Sequence, residues 1–303
     1  MDVYLPIANL SVNGLVIVLL GGLTGLLSGM FGVGGGFLTT PLLIFYGIPP
    51  TVAAASASTQ VTGASVTGVL AHSKRRGVDY HMGMIIVAGG VLGTGIGALL
   101  FRFFQTLGQI DVIISALYVL MLGAIGAMMA REAMQSLRGA ARGKTAAPKR
   151  RHHPLVAALP LRRRFYRSGL YISPLAPLLL GMFVGILTML MGVGGGFILV
   201  PAMLYILGMS AGVVVGTSLF NILFVTIATT MMHSLTTKAV DIVLVAFLLI
   251  GSVTGVQVGA QLAQKFKPEA LRLVLAVIVL LVAFRMLFGL GYQPDEIFTV
   301  QPL

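Results

Sequence analysis

The chain contains no cysteine, and charged residues are scarce. Its 303 residues include no Cys, and Asp, Glu, Lys and Arg together make up only 9%. Without Cys, disulfides, thiolate catalysis and Cys-ligated metals are excluded. The remaining polar residues form no recognisable catalytic triad, carboxylate pair or His-rich metal set. An enzyme is therefore disfavoured, and neither a cofactor nor a metal is expected.

Hydrophobic residues predominate in the composition. They make up 57% of the chain, and the mean hydropathy is +1.00, whereas soluble domains carry about 25% charged residues. Apolar runs long enough to cross about 30 Å of hydrocarbon recur, and the sequence predicts an all-α, polytopic helical membrane protein. The predicted spans are Val12–Met30, Val52–Ala71, Met82–Phe103, Val112–Ala130, Pro174–Met191, Ala211–Met232, Ile242–Ala263 and Leu271–Leu290, with shorter runs at Phe37–Ile48 and Phe197–Leu207. No cleavable signal peptide is expected, because Met1–Leu10 has no basic residue.

The two halves of the chain repeat each other. The core GVGGGF occurs at Gly32–Phe37 and again at Gly192–Phe197, 160 residues later. Further matches pair Pro41 with Pro201, Gln60 with Asn221, His72 with His233 and Asp79 with Asp241. Such a duplication predicts a first membrane repeat at 1–130, a basic linker at 131–170 and a second membrane repeat at 171–303.

Loop charges predict how the repeats are oriented. Of the 20 Lys and Arg residues, 11 lie in Arg131–Arg167, so the positive-inside rule places this linker in the cytoplasm. The basic loop of the first repeat, Lys74–Arg76, is matched in the second repeat only by Lys238, and Lys265, Lys267 and Arg272 lie one loop later. This exchange favours inverted repeats over parallel ones, with three full spans plus a glycine-broken helix pair in each. Whether that pair crosses twice or forms a hairpin stays open.

The expected partners follow from the same charges. The linker is typical of a topology signal in contact with the lipid bilayer, and nucleic acid is not expected as a partner. The remaining expected partners are a small anionic substrate and, as an open alternative, a second copy of the chain in a homodimer.

The glycine clusters predict a binding site. Consecutive glycines cost about 1 kcal/mol each in a helix interior, so they break the helix and leave free N–H groups at the start of the next one. Such a helix start attracts anions. A dinucleotide fingerprint is excluded, because it needs a preceding strand in a soluble βαβ unit. Substrate contacts are predicted at Gly34, Gly35, Gly36, Gly194, Gly195 and Gly196.

Polar side chains inside the spans extend this site. A hydroxyl and an amide one helical turn apart, Ser56 with Gln60 and Thr217 with Asn221, occur in both repeats, and Ser218 adjoins the second pair. These residues are predicted to complete an oxyanion cage, although membrane Ser and Thr often bond only to their own backbone. His72 and His233 are the only paired groups that titrate near neutral pH. They are candidates for proton coupling, with a packing role as the alternative. Asp79 and Asp241 are predicted helix N-caps.

These motifs resemble a known family. The patterns GxxxGxxxGMFGVGGGFLTTPLL, GxxxGxxxxLMGVGGGFILVPAMLYILG and VVVGTSLFNILF are similar to those of the TauE/SafE family of sulfite-exporter-like permeases. The resemblance covers both repeats and implies movement of small sulfur-containing or organic anions, such as sulfite, sulfonates or sulfoacetate, across the bacterial inner membrane. The first repeat departs from the pattern, because AAASASTQ at Ala53–Gln60 lacks the GTS that Gly216–Ser218 keeps.

The favoured function is a permease that carries a small oxyanion by alternating access, with export as the favoured direction. Import would need a coupled ion, and no acidic relay for one is visible. The alternatives are a non-transporting membrane assembly or lipid-handling protein, or a membrane-embedded enzyme acting on an anionic lipid. Glycine clusters that face an aqueous cavity favour transport, whereas a sideways opening to lipid favours the alternatives.

Overall fold

A computed structural model of the protein describes residues 2–31, 34–74, 77–141, 160, 163–263 and 268–291. The described chain is almost entirely helical, which confirms the predicted all-α class, and two short β-hairpins were not predicted. The helices are α1 (Gly14–Phe31), α2 (Gly36–Phe45), α3 (Pro50–Lys74), α4 (Tyr80–Thr106), α5 (Ile110–Ala141), α6 (Leu175–Met191), α7 (Gly196–Tyr205), α8 (Ala211–Met232), α9 (Ile242–Ala263) and α10 (Pro268–Gly291). The hairpins pair β1 (Asp2–Leu5) with β2 (Leu10–Asn13), and β3 (Arg163–Phe165) with β4 (Leu170–Ile172). A π-helical turn, His233–Thr237, continues α8.

The sequence duplication is visible as a duplicated order of elements. One hairpin followed by α1–α5 forms the first repeat, and the other hairpin followed by α6–α10 forms the second. Both hairpin turns contain a residue with positive φ, Asn9 at 56° and Gly169 at 65°. Helix α5 continues to Ala141 and β3 begins at Arg163, so both reach into the predicted linker segment.

The repeats are inverted. The equivalent helices α3 and α8 cross in antiparallel directions, because Thr59 contacts Thr230 (3.2 Å) while Thr62 contacts Thr226 (2.8 Å). A twofold axis in the membrane plane reverses equivalent helices, whereas an axis along the membrane normal keeps them parallel. The predicted inversion is therefore confirmed, and the parallel alternative is excluded.

Two close helix pairs join the repeats. Helix α1 packs against α9, and α4 against α6, with glycines at the contacts. A Cβ atom on Gly25 would clash with the backbone of Ser252, and one on Gly93 would clash with the backbone of Met182. Small residues spaced four apart allow this approach of two backbones.

This packing predicts different effects for two neighbouring glycines of α4. A Cβ on Gly97 would lie 2.8 Å from the Met189 Cβ and 3.1 Å from the Ile186 oxygen, whereas a Cβ on Gly95 would meet nothing within 4 Å. We expect Gly97→Val to lower the thermal midpoint of the purified protein by several degrees, since overpacking costs about 1–3 kcal/mol. Gly95→Val is the matched control and should leave the midpoint nearly unchanged. Equal midpoints for the two variants would contradict this account of the α4–α6 contact.

The glycine-broken pair folds as a hairpin in the first repeat. Gly35 lies beside Thr24 and Ser28 of α1, and the amide of Asn13, just before α1, donates to the Tyr46 hydroxyl just after α2 (3.2 Å). The chain therefore returns to the face from which it entered. Helix α2 has ten residues, a length of about 15 Å, so the tip of the hairpin lies near the middle of a hydrocarbon layer about 30 Å thick.

Within the residues that the structure describes, five helices are long and apolar enough to cross a membrane, and they fall within α4, α5, α8 with its π turn, α9 and α10. Two of the other predicted spans, Val12–Met30 and Pro174–Met191, correspond to the shorter hairpin helices α1 and α6. The last one, Val52–Ala71, lies in α3, a helix of 25 residues. Its Ser, Thr and Gln residues lower its hydropathy, and it lies in the interior, where Ser56, Ser58 and Gln60 are buried.

The bundle has two ends, which we name by the segments found there. At the linker face, α4 begins and the Ser168 amide of the β3–β4 hairpin donates to Asp79 Oδ2 (3.0 Å). At the N-terminal face, α9 begins and the Ile7 amide of the β1–β2 hairpin donates to Asp241 Oδ2 (3.0 Å). Both aspartates also accept amides of their own helix, as predicted for N-caps.

Candidate functional site

The two glycine clusters meet in the interior of the bundle. The rings of Phe37 and Phe197, which follow the clusters, stack 4.5 Å apart with an interplanar angle of 4°. A Cβ on Gly36 would lie 2.8 Å from the oxygen of Val193 in the other cluster. Helices α2 and α7 start at this meeting point and return to opposite faces. The chain after α7 returns to the linker face, because Leu207 and Met209 lie in one hydrophobic cluster with Phe165 and Leu170 of the β3–β4 hairpin. The positive N-terminal ends of α2 and α7 therefore face each other at the same depth.

The backbone of the clusters needs glycine. Gly34, Gly194 and Gly195 have φ values of +73°, +75° and +75°, which L side chains rarely adopt. In the described part of the chain, the amides of Gly195, Gly196 and Phe197 find no hydrogen-bond acceptor. Free backbone donors at membrane depth are tolerated only where protein or a polar cavity surrounds them. Such a helix start is suited to an anion.

Helices α3 and α8 enclose the two tips. A Cβ atom added to Gly34 or to Gly194 would lie 3.2 Å from the Ile222 side chain. A Cβ atom on Gly194 would also lie 2.7 Å from the Val61 side chain. Val61 and Ile222 directly follow the predicted site residues Gln60 and Asn221. The fold therefore brings both predicted amides to the level of the glycine clusters.

Three predicted site residues carry buried polar atoms without partners. Gln60 is 1% exposed, and Ser218 and Asn221 are fully buried. Among the described residues, the buried side-chain atoms that lack a hydrogen bond are Gln60 Oε1, Ser218 Oγ, Asn221 Nδ2 and Asn221 Oδ1. Each such atom costs about 1–3 kcal/mol, so a native protein needs a reason to keep it. All of them belong to residues that the sequence analysis predicts for the site.

Ser56 and Thr217 lie in a different environment. The Ser56 hydroxyl accepts the Asp241 amide (3.2 Å), and the Thr217 hydroxyl accepts the Asp79 amide (2.9 Å). Each hydroxyl thus holds the start of a helix from the other repeat. A direct contact of either hydroxyl with substrate stays a prediction.

His233 is also separate from the clusters. His233 is fully buried; its Nε2 contacts the Met189 oxygen (3.0 Å), and its ring packs edge-on against Phe101 at 5.1 Å. These contacts hold the last turn of α6, just before the second cluster. The side chain of His72 lies outside the described part of the structure. Proton coupling stays a prediction for both residues.

Tyr118 is a contact residue that the sequence analysis missed. It is fully buried, and its hydroxyl donates to the Met191 oxygen (2.6 Å), which also accepts the Thr40 hydroxyl (3.3 Å). Met191 ends α6 and precedes the second glycine cluster. The available signal was a phenol inside the apolar run Val112–Ala130.

Metal binding has no candidate ligands in the part of the chain that the structure describes. No group of three or more His, Asp or Glu residues there lies close enough together to hold an ion. The site therefore offers backbone amides, hydroxyls and carboxamides as its binding groups.

Comparison with known proteins identifies relatives along nearly the whole chain. The chain is 28% identical to a probable membrane transporter protein, YjnA, of Bacillus subtilis, over 89% of this chain and 98% of the relative. It is 27% identical to a probable membrane transporter protein of Xylella fastidiosa, over 87% and 90% of the two chains. It is 24% identical to the probable membrane transporter protein MJ0441 of Methanocaldococcus jannaschii, over 87% and 91%. No solved structure matches the chain.

The match to a protein family is as extensive. The family model described as sulfite exporter TauE/SafE matches residues 17–286, which include both glycine clusters, α3 and α8. This range is far more than half of the 303 residues. The protein is therefore a multi-pass membrane protein that belongs to the sulfite exporter TauE/SafE family of transporters.

Proposed function

We propose that the protein is a permease that moves a small sulfur-containing or organic oxyanion across the bacterial inner membrane by alternating access. The observation that carries this proposal is the set of unpartnered atoms on Gln60, Ser218 and Asn221. They lie on helices that enclose two facing helix N-termini. An oxyanion at this position would accept hydrogen bonds from the free donors and balance the positive helix ends.

The chemistry of the site favours an oxyanion bound by neutral donors. Ser218 Oγ, Asn221 Nδ2 and the amides of the second cluster are donors, and no Lys or Arg occurs in 50–73 or 211–237. Rotation of a carboxamide by 180° exchanges its oxygen and nitrogen, so Gln60 can also present N–H. Without a full ion pair in the site, the anion can leave as well as bind. The family description, sulfite exporter, agrees with a sulfur oxyanion.

The symmetry of the fold supports alternating access. Each hairpin is joined to its own face, and all six cluster glycines are buried, so the meeting point is closed in this conformation. Because the repeats are inverted, loosening one hairpin or the other opens the same site to opposite faces. The burial of the clusters also favours transport over a lipid-handling role, which would require a sideways opening.

The proposed direction is export, which the membrane potential supports whichever face is cytoplasmic. With the cell interior negative, each exported negative charge gains about 2.3 kcal/mol per 100 mV. No second ion is then needed to drive export.

The test is flux of radiolabelled sulfite in proteoliposomes. We expect a potassium-diffusion potential to change the flux steeply and a pH gradient alone to change it little. His233→Gln should retain potential-driven flux, because glutamine can also donate to the Met189 oxygen. Proton-driven accumulation that disappears in a His72→Gln/His233→Gln variant would contradict uncoupled export, and the absence of flux for sulfite, sulfoacetate, thiosulfate and taurine would contradict the permease itself.

A further inference from the structure

We propose that the linker face carries a second oxyanion-binding site, separate from the glycine clusters. A cleft of about 420 Å³ opens there between the start of α4 and the β3–β4 hairpin. Its lining includes two guanidinium groups and three polar rings: Arg164, Arg167, Tyr80, His81 and Tyr166. The volume lies within the usual range for small-molecule sites, about 300–1,000 Å³.

The arginines are arranged for binding. The Arg167 guanidinium lies 5.8 Å from the centre of the Tyr80 ring and donates to the Val78 oxygen (2.7 Å). The Arg164 guanidinium lies 6.0 Å from the centre of the Tyr166 ring. An aromatic face orients a planar guanidinium through its π electrons and leaves N–H edges available. Paired N–H edges suit the oxygens of a sulfonate, sulfite or phosphate group.

The one acidic residue in the cleft, Asp79, is hydrogen-bonded to neutral groups of α4 and the hairpin. Asp79 Oδ1 accepts the Met82 amide (3.1 Å), and Asp79 Oδ2 accepts the Ser168 amide (3.0 Å) and the Ser168 hydroxyl. The carboxylate is thus engaged in holding α4 and the hairpin together. With two guanidinium groups against this single carboxylate, the lining carries an excess of positive charge.

The opposite face serves as an internal comparison. At the N-terminal face, the equivalent elements are the β1–β2 hairpin and the N-cap Asp241. The two hairpins are aligned by their closing pairs, Leu5–Leu10 and Phe165–Leu170. There the equivalents of the five lining side chains are Tyr4, Ile7, Ile242, Val243 and Pro6. The fold therefore forms its hairpin-to-helix contact without any cation. The arginines and most of the polar rings of the cleft are features that the fold itself does not require.

Topology signalling explains these arginines less well than binding does. Positive charge near a membrane end is sufficient for orientation, and Arg131 and Arg163 supply it from exposed positions outside the cleft. Such a signal does not require guanidinium groups placed over rings around a concave surface. The anion can come from two sources, a soluble oxyanion or the phosphate of an anionic lipid headgroup.

The cleft is connected to the central site through one residue. Asp79 lies in its lining, and the Asp79 amide donates to Thr217 of α8. Thr217 is adjacent to Ser218 and one helical turn before Asn221. An anion held in the cleft is therefore placed at the linker-face end of the helix that carries the unpartnered donors, where it would raise the local substrate concentration.

The naturally Trp-free chain allows a direct test. Full-length Tyr166→Trp protein in phosphatidylcholine nanodiscs is titrated with sulfite, methanesulfonate and inorganic phosphate at constant ionic strength, and the Trp emission is followed. We expect a saturable change. Adding Arg164→Gln/Arg167→Gln should raise the anion concentration at half-maximal emission change about tenfold or more, since charge-assisted hydrogen bonds are lost. The charge-matched pair Arg131→Gln/Arg163→Gln should leave that concentration within about twofold, because neither residue lines the cleft.

Discs that contain phosphatidylglycerol identify the source of the anion. If a lipid headgroup is the ligand, this lipid alone gives the emission change, and the soluble anions no longer add to it. No saturable change with any anion or lipid, or equal weakening by both double variants, would overturn the second site. The titration is also made in Asn221→Leu protein, where the cleft should still respond. This variant distinguishes loss of transport from loss of anion binding in the cleft.

Discussion

Replacing Asn221 with leucine is expected to abolish anion flux while leaving the protein at least as stable as the wild type. The Asn221 side chain is fully buried, and both of its polar atoms lack a partner. Leucine branches at Cγ as asparagine does and has no polar group to desolvate, so it removes a cost of about 1–3 kcal/mol. The same change deletes a donor from the proposed site. We expect sulfite flux in proteoliposomes to fall by about two orders of magnitude or more, because a site built for hydrogen bonds tolerates their loss poorly.

The matched control lies on the same helix. Thr229 is fully buried, and its hydroxyl donates to the Val225 oxygen within α8 (2.9 Å). Thr229→Val therefore removes a buried polar group whose bond is local, and flux should stay within about twofold of the wild type. A thermal midpoint that falls sharply in Asn221→Leu would show that the carboxamide is structural. Wild-type flux in a stable Asn221→Leu protein would show that it does not bind substrate.

The inverted architecture could be predicted from sequence because its signals do not depend on tertiary contacts. The glycine clusters interrupt helices through the conformational cost of glycine, and the change of loop charge between Lys74–Arg76 and Lys265–Arg272 reports orientation. Gln60 and Asn221 were found because one repeat could be aligned with the other. Choosing between a hairpin and two crossings was not possible, since α2 has the same apolar composition in both cases.

The role of each hydroxyl could not be read from sequence. Ser56 and Thr217 have the same spacing to their carboxamides in both repeats, yet their hydroxyls accept amides of Asp241 and Asp79 from the other repeat. These partners are 185 and 138 residues away, so only the folded structure pairs them. Ser218 carries no repeat counterpart of its own type and has an unpartnered hydroxyl. The site is therefore less symmetric than the motif.

Within the linker-face cleft, sequence alone gave no reason to separate Arg164 and Arg167 from the other basic residues of Arg131–Arg167. The separation appears when the β3–β4 hairpin places them beside Tyr80 and Tyr166. A charge count treats all of these arginines as one signal. The hairpin itself was not predicted, because three-residue strands such as β3 carry little pattern.

Gly36→Ala is expected to reduce flux at least about tenfold by separating the two hairpin tips, since misplacement of binding groups by about 1 Å can cost this much. Gly36 begins α2, and alanine is a better helix former than glycine, so the backbone itself accepts the change. The added methyl group would lie 2.8 Å from the Val193 oxygen and 2.9 Å from the Gly192 oxygen. Backbone atoms of the opposite tip cannot rotate away as a side chain can. The Phe37–Phe197 stack, with its 4.5 Å spacing, would open as the tips move apart.

Two further variants separate contact between the tips from a clash with α3. The same methyl group would lie 2.6 Å from Val61 Cγ2, and Val61→Ala in the Gly36→Ala protein removes that contact while keeping the two carbonyl contacts. If the meeting of the tips forms the site, the double variant stays as inactive as Gly36→Ala. Gly95→Ala, which adds a methyl group in open space, should transport at the wild-type rate. Restoration of flux by Val61→Ala would mean that the hairpin only needs room beside α3, and the oxyanion site would then have to lie away from the facing helix starts.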